Sequence, residues 1–394
     1  MSAARWRQAM KSGSTAAMPE RRPVQLQAVG GGAHDEAAQY DRRGESSTVG
    51  RLARELGWPH AGLLLALLVF PFVASPFITF QIGAQTLVLG LIALSLTFLG
   101  GYGGMISLAQ MTVAGIAGYT IGVLGINGNE EISVNWPWWL IVPCALVLSM
   151  AAGAFIGWLS ARTEGIYTIM ITLAIGVAFY YLVLQNYSVF NGFQGLQKVY
   201  PPVVAGVNWR DPLPFYLLVL VWSAAGYLAI VYLVRTPFGI ALQGIRDNPR
   251  RMASLGFNVV VHRVAAHAVA ALLAGVGGVL FVWYNGLIGP GSVGTSWLIN
   301  ILIIAVLGGM RHPIGPFLGA LVFVLMQTFA IDVIDRERFN LVIGSVFLAI
   351  VLFSPDGLLG LWERLRSGFS HERPDRGEPA GAVGSTVRLA GRRQ

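Results

Sequence analysis

The sequence reads as an all-α polytopic membrane protein with about ten transmembrane segments. Three observations point there. Apolar residues make up 55% of the 394 positions and charged residues only 12%, a balance far from that of soluble globular chains. The apolar residues fall into runs near the ~20 residues needed to cross a hydrocarbon core. The arginines, in contrast, gather in the tails and in particular loops, as they do where basic residues set orientation in a membrane.

Residues 1–57 are rich in Arg, Gln, Glu, Ser and Gly and are expected to be a disordered cytoplasmic extension, because they hold too little apolar surface to offset chain entropy. Residues 58–361 form the transmembrane domain and 362–394 a second disordered cytoplasmic tail. The expected spans are Ala61–Thr79, Gly83–Leu99, Met105–Leu124, Trp138–Leu159, Ile166–Gln185, Leu213–Val234, Val264–Tyr284, Trp297–Gly309, Ile314–Ile334 and Phe339–Phe353. The third is glycine-rich and the eighth short, so both are candidates for broken or re-entrant helices.

Charge supports an even number of crossings. Arg42, Arg43, Arg51 and Arg54 precede the first span, and Arg364, Arg366, Arg373 and Arg376 follow the last, which places both termini in the cytoplasm. The same walk puts Arg162, the segment 235–263 and Arg311 inside, and Glu130, Glu131, Asp332 and Asp335 outside. Trp136, Trp138, Trp139, Trp209 and Trp362 fall at the expected lipid interfaces, where amphipathic rings settle. The formal charge of +8 is therefore a topology signal, and no nucleic-acid partner is expected.

Within 235–263 lies a polar, arginine-rich island, RTPFGIALQGIRDNPRRMASLGFN (Arg235–Asn258). Asp247 or Asn248 suits an N-cap, Pro249 the first helical position and Gly256 a left-handed stop. The resulting helix, Pro249–Leu255, is far below the ~12–15 residues that are stable alone in water. It needs something to dock on.

Three other stretches bring polar atoms to apolar spans. In Gly100–Tyr119 (GGYGGMISLAQMTVAGIAGY) the glycines allow close helix packing, or Ser107 and Gln110 face a polar pathway. Thr168 and Thr172 share one face of the fifth span. They satisfy themselves on their own helix or line the same pathway. Asn300 sits in the eighth span, just before a second Gly-Gly-Met at Gly308–Met310 that echoes Gly103–Met105 in the manner of an internal repeat.

Catalytic constellations are missing. No P-loop pattern occurs, and the two lysines, Lys11 and Lys198, lie in no such context. His262 and His267 have no third ligand near them in sequence, so no metal site is expected. Cys144 is the single cysteine, which excludes an internal disulfide. No catalytic residue and no cofactor is expected. A chain of this kind that moves a solute uphill takes its energy from another protein.

Four landmarks, in order, resemble the LivM-type permease subunit of branched-chain amino acid ABC transporters. They are GYGGMISLAQ with AGIAGY (Gly101–Gln110, Ala114–Tyr119), GIYTIMITLAIG (Gly165–Gly176), PFGIALQGIRDNPRRMASLGFN (Pro237–Asn258), and VLGGMRHPIGPFLGA with SPDGLLG (Val306–Ala320, Ser354–Gly360). The resemblance implies the permease fold of ABC importers in a bacterial inner membrane. It also implies a LivH-like second permease, two cytoplasmic ATPase subunits, an external solute-binding protein and surrounding lipid as partners. Segment 235–263 then becomes the coupling segment, with Arg246, Asp247, Asn248, Pro249, Arg250, Met252, Leu255 and Gly256 meeting an ATPase. Ser107, Gln110, Thr168, Thr172 and Asn300 become candidate pathway residues. The sequence departs from the family pattern at Pro249, Val177, Phe193 and Gln194, which bears on the solute. Branched-chain or other hydrophobic amino acids are the first expectation. Urea, short amides and related small solutes are the alternative, and a stand-alone channel or secondary carrier is the reading from a different class.

Overall fold

The structure is a computed structural model that describes residues 58–128, 132–204, 206–333 and positions 344, 345, 348, 357, 358 and 360. The chain divides into two units, Met1–Ala61 and Gly62–Gln394, and the architecture below is that of the second. The expected extension 1–57, the tail 362–394 and most of the expected span Phe339–Phe353 lie outside the described residues.

The described residues are mostly helical, as apolar segments must be where no water can satisfy backbone groups. In chain order come α1 (Trp58–Val73), α2 (Gln85–Thr97), α3 (Gln110–Leu124), α4 (Trp138–Ser160), α5 (Ile166–Gln185) and a single turn α6 (Tyr187–Phe190). After the short strands β1 (Leu196–Gln197), β2 (Val203–Val204) and β3 (Val207–Asn208) come α7 (Pro212–Arg235), α8 (Pro237–Asp247), α9 (Pro249–Ser254) and α10 (Val259–Asn285). Strand β4 (Leu287–Ile288), α11 (Thr295–Gly308) and α12 (Gly315–Val333) complete the series. Wider π-helical turns at Ile78–Ala84 and Phe98–Tyr102 extend α2 at both ends. The continuous helix Ile78–Tyr102 is therefore 25 residues long.

Among the described residues, five helices are long and apolar enough to cross a membrane: Ile78–Tyr102, Trp138–Ser160, Ile166–Gln185, Pro212–Arg235 and Val259–Asn285. Four shorter apolar helices accompany them, at Leu64–Val73, Gln110–Leu124, Thr295–Gly308 and Gly315–Phe329. The third and eighth expected spans thus contain helices of 15 and 14 residues, short of the ~20 that a full crossing takes. Residues 105–109, which the third expected span included, are not helical, and α3 starts only at Gln110.

Burial separates centre from periphery. The apolar stretch of Ile78–Tyr102 is 94% buried within the chain, against 22% for α5 and 28% for α7. The second central element is α10, which packs on α4, α3 and α2, while α2 also meets α11 and α12. Small residues make this closeness possible. Gly278 of α10 lies against the Ala114 carbonyl of α3, Gly275 against Ser149, and Gly153 of α4 against Ala271. At one end of the bundle β1 pairs with β4 antiparallel, Leu196 opposite Ile288, and ties the loop after α5 to the end of α10.

Candidate functional site

At the opposite end the arginine-rich island forms two short helices after α7, each started by a side-chain cap. The Thr236 hydroxyl accepts from the Gly239 N–H at 3.4 Å and opens α8, with Pro237 at its first position. Asn248 breaks the helix in an extended conformation, and its Oδ1 accepts from the Arg251 N–H at 2.9 Å to open α9. Asn258 does the same for α10 through the Val261 N–H at 3.1 Å. Each cap satisfies an amide that the first turn leaves unpaired.

The stop of α9 is equally specific. Gly256 has φ +93°, its N–H reaches the Ala253 carbonyl at 3.0 Å, and the Phe257 N–H reaches the Met252 carbonyl at 3.1 Å. These are the two bonds of a Schellman motif, in which a left-handed glycine follows the cap. Leu255 is therefore the cap residue, and α9 ends at Ser254 rather than at Leu255 as the sequence suggested.

The side chains divide into two sets. Arg250, Arg251 and Leu255 are exposed, Leu255 by 67%. Met252, expected to present an apolar surface beside Leu255, is half-buried and folds back over Gly244 of α8. Gly244 has no side chain to hold it off, so Met252 clips α9 to α8. Arg246 is also engaged within the chain. Its Nε pairs with Asp247 Oδ1 at 2.9 Å, and its Nη1 donates to the Gly101 carbonyl at 2.6 Å. Its aliphatic stem covers Gly104, which at φ +67° has no room for a side chain.

That contact joins α8 to the end of the buried helix Ile78–Tyr102. Gly101 also lies against the Met310 carbonyl, and the Tyr102 hydroxyl donates to the Arg311 carbonyl at 3.3 Å. The residues just before the first Gly-Gly-Met thus meet Met310 of the second, and Arg246 covers Gly104 of the first. A cavity of about 230 Å³ opens next to them, bounded by Gly104, Ile106, Thr168, Arg246, Pro249 and Arg263 among others.

The candidate pathway residues fall into two groups. Ser107, Gln110, Thr168 and Thr172 are buried where α2, α3 and α5 converge. Gln110 Oε1 accepts from the Ser95 hydroxyl at 3.0 Å. Thr172 Oγ1 accepts from the Leu108 N–H at 3.1 Å and donates to the Thr168 carbonyl at 3.0 Å. The Thr168 hydroxyl reaches the Thr163 carbonyl at 3.1 Å. Ser107 Oγ is buried without a partner among the described residues. Asn300 lies apart, half-buried on α11, and none of the hydrogen bonds of the described residues connects it to this group.

Sequence reasoning passed over a second polar cluster toward the other end. Gln85 donates to Gln327 Oε1 at 3.2 Å, and the Tyr284 hydroxyl donates to Gln81 Oε1 at 3.1 Å and Gln85 Oε1 at 3.3 Å. Three glutamines in otherwise apolar segments were the available signal, since an amide facing lipid is costly.

Comparison with known proteins places this architecture. Residues 78–351 match the family model described as branched-chain amino acid transport system / permease component. The high-affinity branched-chain amino acid transport system permease protein LivM of Salmonella typhimurium is 26% identical over 77% of each chain. LivM of Escherichia coli is 26% identical over 75% of this chain and 74% of its own. The ribose import permease protein RbsC of Haemophilus influenzae is 21% identical over 70% of this chain and 84% of its own. No solved structure matches significantly.

Proposed function

The chain belongs to the family of branched-chain amino acid transport permease components, and from that premise we propose that it is one permease half of an ABC importer for branched-chain or other hydrophobic amino acids. It is a multi-pass inner-membrane protein, and in this reading it crosses about ten times with both termini in the cytoplasm. A LivH-like second permease shares the passage, two ATPase subunits sit below, and an external binding protein delivers the solute. Similarity to a LivH of Methanocaldococcus jannaschii, 29% identical over 34% of this chain, supports a paired arrangement of related permeases.

The observation that carries the reading is the α8–α9 hairpin. It presents Arg250, Arg251 and Leu255 outward while Arg246 holds the end of the most buried helix. A push on α9 is passed by the Met252 clip to α8, and by Arg246 to Gly101. In this scheme Leu255 and the two exposed arginines meet the ATPase, whereas Met252 and Arg246 transmit. Asp247 holds Arg246, and Asn248, Pro249 and Gly256 fix the ends of α9. The buried junction at Ser107, Gln110, Thr168 and Thr172 sets the helices that flank the passage, and Asn300 borders it from α11. Among the ten spans the short α3 and α11 are the broken ones, helical over only part of the crossing.

The test is reconstitution of the complete complex. Leucine uptake and leucine-stimulated ATP hydrolysis are expected together, with both lost in Gly256→Val. Solute flux through this chain alone, without any ATPase, would overturn the proposal in favour of a channel or secondary carrier.

A further inference from the structure

The cavity beside Arg246 has the chemistry of a ligand site. Arg263 stands at its wall and is only 9% exposed. Its Nη1 donates to the Ala161 carbonyl at 3.0 Å and its Nη2 to Glu164 Oε1 at 3.3 Å, but its Nε is buried with no partner among the described residues. A buried guanidinium donor without an acceptor is costly and marks a missing partner. Arg246, which is paired with Asp247, lines the same cavity beside Glu164. The remaining wall carries the aliphatic side chains of Ile106, Ile169 and Ile245 together with Thr163 and Thr168. A volume of about 230 Å³ is smaller than the ~300–1,000 Å³ typical of sites for drug-sized ligands, so the occupant is small.

We infer that this cavity binds an aliphatic α-amino acid as its zwitterion, the carboxylate on Arg263 and Arg246, the ammonium on Glu164 and the side chain on the three isoleucines. The cations suit a carboxylate because guanidinium and carboxylate match in shape and charge. Pro249 and Gly165 also border the cavity, so an occupant bridges the α8–α9 junction to the start of α5. The inference rests on the amino acid import reading for its choice of ligand, and it adds a site in the coupling region, next to the buried junction at Thr168.

Equilibrium binding to the full chain in phosphatidylcholine nanodiscs tests it, with leucine, 4-methylpentanoate and 3-methylbutylamine as probes. Leucine is expected to bind best. The amine is expected to bind at least about tenfold more weakly, for want of the charge-assisted contact to a buried arginine. 4-Methylpentanoate is expected to be about two- to fivefold weaker, because Glu164 is largely exposed. Glu164→Gln should erase the preference of leucine over 4-methylpentanoate, and Ile169→Trp should remove binding by filling the cavity. Both variants leave Arg263 in place, so a folded protein is expected, checked by its melting temperature. Leucine binding that ignores both substitutions overturns the inference, as does full displacement of leucine by inorganic phosphate. Uptake by the complete complex, measured in parallel, tests the import reading alone and keeps the two failures apart.

Discussion

The Nη1 of Arg246 and the carbonyl oxygen of Gly101 lie 2.6 Å apart although 145 positions separate them in the chain. Gly101 belongs to the last turn of a helix whose middle is wholly buried. A bond to a charged group contributes about 1.5–3 kcal/mol when shielded, and less here because the Arg246 side chain is 39% exposed. Arg246→Ala is expected to leave basal ATP hydrolysis by the complete complex intact and to lower its stimulation by solute. Arg246→Lys keeps the charge but cannot hold Asp247 and Gly101 together, and should fall between. Full stimulation in the alanine variant would show that force takes another route.

Helix α9 depends on its two ends. Removing the cap with Asn248→Ala should cost about 1 kcal/mol, equivalent to about fivefold faster amide exchange over the following turn. Gly256→Val forces a β-branched residue to φ +93°, at a cost of about 1–3 kcal/mol. Hydrogen exchange at Arg251–Ser254 measures both. Unchanged protection in Asn248→Ala would mean that docking rather than capping holds the helix.

The contact of Gly278 with the Ala114 carbonyl leaves no space for a side chain. Gly278→Val should destabilise the chain by about 1–3 kcal/mol through overpacking. Gly62, which has open space around it, supplies the control, and Gly62→Ala should melt like the parent. Equal melting temperatures for the two variants in detergent would contradict the close packing of α3 and α10.

Two glutamines should behave differently. Gln85→Leu strips partners from Gln327 and Tyr284 and should cost about 1–3 kcal/mol. Gln110→Leu leaves Ser95 still bonded to the Ile92 carbonyl at 2.6 Å, so its cost should stay near or below about 1 kcal/mol. Thermal unfolding ranks them. A large rise in the KM for uptake in Gln110→Leu, with stability unchanged, would move Gln110 from a packing role to the passage itself.

Much of this was legible in the sequence for local reasons. Asn-Pro before the arginines and glycine after Leu255 carry their own backbone preferences, so the ends of α9 could be read without tertiary information. Long apolar runs likewise announce helices such as α4 and α7. What escaped depends on contacts between elements. Met252 turns inward because Gly244 leaves it room once α9 folds back on α8. Arg246 turns inward because Gly101, far away in the chain, offers a carbonyl. The amide cluster of Gln81, Gln85 and Gln327 with Tyr284 joins three helices and has no local signature beyond polarity in apolar surroundings. The late start of α3 at Gln110 was hidden because Met105 and Ile106 are as apolar as any helical residue.

The seam between α4 and α10 has small residues on facing sides, Gly153 against Ala271 and Ser149 against Gly275, with Gly157 against His267 further along. Neither helix can slide or rotate past the other without meeting backbone, so the pair is a rigid frame of reference. The single cysteine, Cys144, is partly accessible and stands on α4. A fluorophore or spin label attached there reports from a fixed post, and any change in its distance to a second label on α9 during ATP turnover measures the travel of α9 alone.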